Sequence, residues 1–172
     1  MSRSLLVKIL IMTVLAIILV LQGPSALASS LSDDTANVGE AAECAVMRGF
    51  ECKQARDARD WAISVTAWRF PESELKHNDM ADAFRHCAWM GALATRLGQS
   101  GAYHVGYVHE EYAKGPAAER SMDLWNNLIG ADIGEAAKAG NYDDQWGYVL
   151  EQCESRARAH ELYGMGGVKG NY

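Results

Sequence analysis

The segment from Met80 to Leu97 restricts the possible folds more than any other part of the chain. One side of the helix predicted here carries small or apolar residues at intervals of three and four: Met80, Phe84, Cys87, Gly91 and Ala94. Much of the remaining circumference is also apolar, so neighbouring elements must surround the helix on most sides. We therefore predict a central buried helix with Asn78 or Asp79 as N-cap and Gly98 as its terminating residue.

The other segments show the same helical period, and no stretch has the sustained alternation that is typical of strands. Pro71 ends one predicted helix, and Asp143 or Asp144 caps the last. The pattern predicts further helices over residues 40–48, 54–69, 101–113, 117–138 and 141–162. The expected fold is all-α, a small single-domain bundle of about five helices that disulfides stabilise.

The amino terminus has the pattern of a secretory signal peptide. Arg3 and Lys8 precede an apolar run from Ile9 to Leu21, and Ala26-Leu27-Ala28 provides a small-x-small cleavage site. The run is shorter than the ~20 apolar residues of a membrane-spanning helix. We predict cleavage after Ala28, so that the chain contacts the membrane only transiently. An uncleaved amino-terminal anchor is the alternative, and both versions export the domain to the periplasm or outside the cell.

Cleavage would leave 144 of the 172 residues, enough for one domain with a core and too few for two ordinary ones. We predict a helical domain over residues 29–163 and a flexible Gly-rich tail over 164–172. The net charge would change from −6 to −8, because the removed residues 1–28 include two basic and no acidic side chains. Nucleic-acid-binding proteins usually have a basic patch, so we expect no nucleic-acid partner.

The mature chain would contain four cysteines: Cys44, Cys52, Cys87 and Cys153. An even number in an oxidising compartment favours two disulfides over free thiols. Three pairings are possible. We favour Cys44–Cys52 together with Cys87–Cys153, of which the second would join the central helix to the carboxy-terminal one. The spacing lacks the paired Cys-x-x-Cys units of a zinc ribbon, so structural bridges are predicted for all four.

Charged and amide side chains occupy positions that the helical pattern directs toward the core. Asp82 and His86 are one turn apart and share a face. Apolar residues surround His109 at helical spacing, and Glu110 follows it. In the next helix one stripe combines two polar with three small residues: Asp123, Asn127, Gly130, Gly134 and Ala137. Ionisable groups are costly to bury alone, so their recurrence on three predicted helices indicates one shared site.

Three short segments carry a resemblance to a known family. They are Asp82-Ala83-Phe84-Arg85-His86, then His109-Glu110, then Met122-Asp123-Leu124-Trp125-Asn126-Asn127. They resemble the DAFRH, HE and MDLxNN signature of an uncharacterised bacterial domain family, which occurs in small secreted proteins and at the ends of Rhs-type or wall-associated toxin-like chains. The resemblance covers roughly Cys44 to Gly134 and implies no established activity, substrate or cofactor. Ala131 stands where relatives are expected to have Arg, which argues against an anion-binding role there.

The first functional hypothesis is a metal-dependent hydrolase that acts on an envelope or extracellular substrate. Zinc in catalytic sites takes His and carboxylate ligands and leaves one position for water. The predicted zinc ligands are His86, His109 and Asp123. Glu110 would be the general base. Asp82 would not bind the ion but would orient His86 through the other ring nitrogen. The predicted substrate-binding residues are Arg85, Asn126 and Asn127.

Calcium is the second choice of ion. In that version Asp123, Glu110 and Asn127 supply oxygen ligands, and His86 acts as the base. The sequence contains no His-Glu-x-x-His motif, so it matches none of the zinc-protease signatures that depend on it. The choice between the two ions stays open on the sequence alone.

The second hypothesis is a non-enzymatic, disulfide-bonded module that binds an envelope partner. Asp82–His86 and His109–Asn127 would then be satisfied hydrogen-bond pairs that fix the geometry of the core. The two hypotheses differ in one structural respect. A catalytic site requires the polar residues to converge on a cavity that opens to solvent, whereas a structural network closes each of them with its own partner.

Overall fold

The computed structural model describes residues 49–74 and 77–172 of the chain. This part contains four α-helices: α1 (Gly49–Arg69), α2 (Met80–Ala113), α3 (Ala117–Ala139) and α4 (Gln145–Arg158). Two short antiparallel strands follow, β1 (Tyr163–Gly164) and β2 (Val168–Lys169), with a 3-10 turn between them. The all-α class is confirmed, although four helices are described where about five were predicted. The predicted signal peptide and the predicted helix over 40–48 lie outside the described residues.

The central helix α2 has the burial that its sequence predicted. Asp79 is the N-cap, and its side chain accepts a hydrogen bond of 2.9 Å from the backbone N–H of Asp82. Every residue from Ala81 to Thr95 is buried except Arg85. Gly98 breaks the helical backbone with φ of +77°, a left-handed conformation that favours glycine. The chain resumes the helix directly after this break, so the two helices predicted here form a single kinked element.

Helix α3 packs against α2 with almost no space between the two backbones. A Cβ atom on Gly130 would lie 2.1 Å from the backbone oxygen of Cys87, and one on Gly134 would lie 2.1 Å from that of Gly91. Only glycine permits this approach. The contact brings the polar residues in the preceding turns of α3 against the first turns of α2.

One of the two predicted disulfides is present among the described residues. Cys87 and Cys153 are bonded and join α2 to α4, as predicted. The other predicted pair includes Cys44, which lies outside the described residues, and Cys44–Cys52 therefore stays a prediction. A disulfide is compatible with an exported protein. Within the described part of the chain, none of the helices combines the length and the apolar character that a membrane span requires.

The carboxy-terminal segment, which was predicted to be a flexible tail, forms hydrogen bonds to the rest of the domain and within itself. The side-chain amide of Asn126 donates to the backbone oxygen of Tyr163 (2.8 Å) and accepts from its N–H (2.9 Å). The phenolic O–H of Tyr172 donates to the backbone oxygen of Leu162. The glycines are used at turns, since Gly166 and Gly167 both have positive φ. The residues after Gly164 thus form a small hairpin that packs on α3.

Candidate functional site

Three ionisable side chains from α2 and α3 meet at one point inside the domain. Asp82, His86 and Asp123 each offer a ligand atom, and these atoms lie within 4.8 Å of one another. Nε2 of His86 is 3.6 Å from Oδ1 of Asp82 and 3.5 Å from Oδ1 of Asp123. All three residues are at most 5% exposed. Their spacing and chemistry are those of a group that could hold a metal ion.

Asp123 is the member with the least compensation for its burial. Among the described residues, its Oδ1 atom is buried and has no hydrogen-bond partner. Burial raises the pKa of Asp123 to about 8, and the neighbouring carboxylates of Asp82 and Glu119 add to the increase. A buried acceptor without a partner is costly, so this oxygen requires a proton or a cation.

The opposite edge of the His86 ring contacts an amide and a third carboxyl group. Nδ1 of His86 lies 3.1 Å from Oδ1 of Asn127, and Nδ2 of Asn127 donates to Oε1 of Glu110 at 3.2 Å. Burial raises the pKa of Glu110. Burial also lowers the pKa of His86, although the nearby Glu110 and Asp82 act in the opposite direction. The imidazole is therefore held as the neutral form between polar groups on both edges.

Asp82 also contacts residues that are more exposed than the three members of the group. Arg85 donates to its Oδ1 at 2.7 Å, and the backbone N–H of Asn78 donates to its Oδ2 at 2.6 Å. The side chain of His77 is 46% exposed. Its Nδ1 atom lies 3.6 Å from Oδ2 of Asp82, and its Nε2 atom lies 3.6 Å from Oε2 of Glu119. His77 and Glu119 were not predicted as site residues, and Asn78 was predicted only as a possible N-cap. The one available signal was the His-Asn pair directly before the N-cap.

The predicted ligand His109 lies beside the group but is not one of its three members. Its ring packs edge-on against Trp89, with 4.9 Å between the centroids, and its centroid is 6.4 Å from that of His86. Asp82, predicted to orient His86, takes the third position of the group instead. Asn126, predicted to bind substrate, holds the backbone of Tyr163.

The site residues converge, as a shared site requires, but they are closed off from solvent. A surface cavity of about 430 Å³ lies elsewhere, between α3, α4 and β2. Its lining residues are Ile129, Asp132, Ile133, Ala136, Tyr148, Gln152, Arg156, Glu161 and Lys169. None of them belongs to the Asp82, His86 and Asp123 group. Any substrate of that group must reach it through a local opening of the surrounding shell.

Comparison with known proteins places the chain in a family without a known activity. No solved structure matches it. Residues 42–161 match the family described as a domain of unknown function (DUF6973). The matched range spans more than half of the chain and includes every residue of the site, in agreement with the expectation of an uncharacterised domain family. The chain therefore belongs to this family of unknown function, DUF6973.

Proposed function

We propose that this domain is an exported, metal-dependent hydrolase whose divalent ion is bound by Asp82, His86 and Asp123. The observation that carries the proposal is the buried Oδ1 atom of Asp123, which lacks a hydrogen-bond partner among the described residues and faces Nε2 of His86. A cation between these atoms would satisfy the oxygen, the ring nitrogen and Asp82 together. Such a cation would remove the cost of burying an acceptor oxygen that has no partner.

Zinc is the first choice of ion. In a tetrahedral site with bonds of about 2.1 Å, ligand atoms are about 3.4 Å apart. The distances of 3.5 and 3.6 Å between Nε2 of His86 and the two carboxylate oxygens are close to that value. Calcium prefers six to eight oxygen ligands, so an imidazole nitrogen in the group favours zinc. Three protein ligands leave a fourth position for water, as in catalytic zinc sites.

The residue roles in this proposal differ from those suggested by the sequence. A zinc ion lowers the pKa of a bound water to ~7 and thereby supplies a nucleophile. Asp82 serves as a ligand, and Arg85 restrains it through the bond to Oδ1. Glu110 lies at the Nδ1 edge of His86, away from the three ligand atoms. We therefore assign Glu110 to positioning His86 rather than to proton transfer. The substrate would be an envelope or extracellular compound.

The second candidate is a structural or binding module without a metal, and the burial of the site favours it. Asp82, His86 and Asp123 are almost completely enclosed. In this version Asp123 keeps its proton at neutral pH and shares it with Nε2 of His86. The polar network then specifies the packing of α2 against α3 and performs no chemistry. The two candidates differ in what occupies the space between Asp123 and His86.

Elemental mass spectrometry of the purified, disulfide-intact mature protein tests the proposal. After incubation with zinc and removal of free ions, we expect one zinc per chain in the wild type and none in Asp123→Asn. Asp132→Asn is the matched control, since it makes the same change at an exposed position of α3 and should retain zinc. His109→Ala should also retain the ion. An absence of zinc, calcium and other divalent ions from the wild type would overturn the proposal and favour the structural module.

Hydrolysis needs a separate measurement once the ion is established. The zinc-loaded protein and its Asp123→Asn variant would be compared on chromogenic esters, amides, phosphomonoesters and phosphodiesters. We expect turnover of at least one class by the wild type and loss of that turnover in the variant, with Asp132→Asn unchanged. A wild type that binds zinc and hydrolyses none of these compounds would limit the function to metal binding.

A further inference from the structure

We infer that Glu110 and Asn127 form a positioning relay that fixes the proton of His86 on Nδ1, so that the lone pair of Nε2 points at Asp82 and Asp123. The relay consists of two consecutive hydrogen bonds, from His86 to Asn127 and from Asn127 to Glu110. Its purpose rests on the proposed metal site, because only an unprotonated nitrogen can bind the ion.

The direction of the relay follows from the chemistry of its end group. Oε1 of Glu110 is an acceptor, whether the carboxyl group is ionised or carries its proton on the other oxygen. In the structure Nδ2 of Asn127 donates to this oxygen at 3.2 Å, so the NH2 group of the amide is on the Glu110 side. This orientation turns the carbonyl oxygen of Asn127 toward Nδ1 of His86, at 3.1 Å. The neutral ring must then donate from Nδ1, which leaves Nε2 without a proton.

Packing holds the amide in this place. Asn127 is fully buried and Glu110 is 4% exposed, so water does not compete for either bond. A Cβ atom on Gly106 would lie 3.0 Å from Nδ2 of Asn127 and 2.8 Å from the sulfur of Met90. The glycine thus leaves the space that the amide occupies beside α2. Both bonds are formed by residues that have little freedom to move.

The relay favours a tautomer of His86 that its surroundings at Nε2 would not favour. An imidazole whose Nε2 faces two carboxyl oxygens would normally carry its proton on that nitrogen and donate to one of them. With the proton fixed on Nδ1, three acceptor atoms face one another in a buried space: Oδ1 of Asp82, Nε2 of His86 and Oδ1 of Asp123. This arrangement requires either a proton on Asp123, as in the second candidate, or a cation between the three atoms, as in the proposed metal site.

Long-range ¹H–¹⁵N correlation spectra of the metal-free, ¹⁵N-labelled mature protein test the relay directly. Protonated and unprotonated ring nitrogens have well-separated ¹⁵N shifts, and the His86→Gln variant identifies the signals of this ring. We expect His86 to carry its proton on Nδ1. Detection of the Nε2-protonated form as the main tautomer in the wild type would overturn the inference without any variant.

A pair of isosteric variants tests the consequence for the ion. Glu110→Gln replaces the fixed acceptor with an amide that can present its NH2 group to Asn127, whereas Glu111→Gln makes the same change at the exposed neighbouring residue. We expect mixed His86 tautomers and about 10- to 100-fold weaker zinc binding in Glu110→Gln, measured by chelator competition. Glu111→Gln should match the wild type. Unchanged tautomer and zinc affinity in Glu110→Gln would overturn the relay.

The two proposals can fail independently of each other. If the wild type shows the Nδ1-protonated ring and binds no metal, the hydrogen-bonded relay is confirmed and the proposed function fails. If the wild type binds zinc and His86 is protonated on Nε2 in the metal-free state, the proposed function stands and the relay fails.

Discussion

Oδ1 of Asp123 lies 3.5 Å from Nε2 of His86, and no donor within the described part of the chain bonds to it. Two acceptors at this distance repel each other in a buried setting unless a positive charge or a proton lies between them. Asp82 adds a third oxygen 3.6 Å from the same nitrogen. The contact therefore links the stability of the domain to pH and, under the proposed function, to the bound ion. The pH dependence of stability is the most direct way to detect it.

The first prediction concerns the metal-free protein. The pKa of Asp123 is about 8 in the folded state against 3.8 for an unperturbed carboxyl group. Well below pH 3.8 both states are protonated, and this group has no effect on the pH dependence of stability. As the pH rises toward 8, only the unfolded chain releases the proton, so stability decreases by up to about 1.4 kcal/mol per pH unit. Asp123→Asn removes this loss and should exceed the wild type in stability at pH 8 by at least about 1 kcal/mol.

Urea unfolding in the presence of a chelator, repeated from pH 4 to pH 8, measures this difference. His86 and Glu110 are present in both proteins, so the difference between wild type and Asp123→Asn reports on Asp123 and on its interaction with Glu110. Asp132→Asn, an exposed change on the same helix, should follow the wild-type profile. Parallel profiles for wild type and Asp123→Asn would show that ionisation of Asp123 does not destabilise the folded state, which would contradict the prediction.

The second prediction concerns the bond between Cys87 and Cys153, which closes a loop with a sequence separation of 66 residues. A crosslink over a loop of this length restricts the unfolded chain and is worth about 4 kcal/mol. The double variant Cys87→Ala and Cys153→Ala should lose roughly 3–5 kcal/mol of unfolding free energy. Chemical denaturation without reductant provides the measurement. A loss below 1 kcal/mol would indicate that α4 is held by packing alone.

The helices could be predicted from the sequence because their signals are local. The pattern predicted 117–138 for the third described helix, which spans Ala117–Ala139. It also gave Asp143 or Asp144 as the cap of the next one, and Asp144 accepts from the backbone N–H of Gly147. Apolar spacing and capping residues act over one or two turns, so a single sequence contains the required information.

The composition of the site could be predicted only in part. Asp82 and His86 share a face of one uninterrupted helix, and the helical period places them together. His109 follows the break at Gly98, whose φ of +77° redirects the rest of α2. A helical period cannot be continued across such a break, so the position of His109 relative to His86 was not predictable. The group that could hold an ion accordingly contains Asp82 together with His86 and Asp123, whereas His109 lies beside it.

The contacts of the carboxy-terminal segment were also not predictable from local sequence patterns. Its glycines suggested mobility, because glycine adds freedom to a chain without partners. The partner is Asn126, which lies 37 residues before Tyr163 and had been interpreted as a substrate-binding residue. A contact between residues so far apart leaves no periodic pattern in the sequence.

The third prediction tests this contact. Asn126→Ala removes both hydrogen bonds to Tyr163 and leaves a buried space, so we expect roughly 1–3 kcal/mol lower stability. Amide exchange provides a local measurement, because the N–H of Tyr163 and that of Gly170 are hydrogen-bonded in the described structure. Both should be protected in the wild type and exchange rapidly in the variant. Rapid exchange in the wild type would instead confirm the predicted flexible tail.

The fourth prediction concerns the contact between α2 and α3 that places Asp123 against His86. Replacement of glycine by alanine usually stabilises a helix by about 0.4–1 kcal/mol, because alanine restricts the unfolded chain. In Gly130→Ala the new Cβ atom would lie 2.1 Å from the backbone oxygen of Cys87, an atom that can move only with its helix. We therefore expect the opposite sign, a loss of about 1–3 kcal/mol or more.

Thermal or urea unfolding gives the stability of Gly130→Ala, and chelator competition gives its zinc affinity. Ala136→Gly, an exposed change on the same helix, measures the effect of helix propensity alone and should cost about 1 kcal/mol with zinc affinity unchanged. Gly130→Ala should weaken zinc binding as well, since a wider spacing between α2 and α3 moves Asp123 away from His86. A Gly130→Ala protein as stable as the wild type would mean that the helices are not in backbone contact at this point.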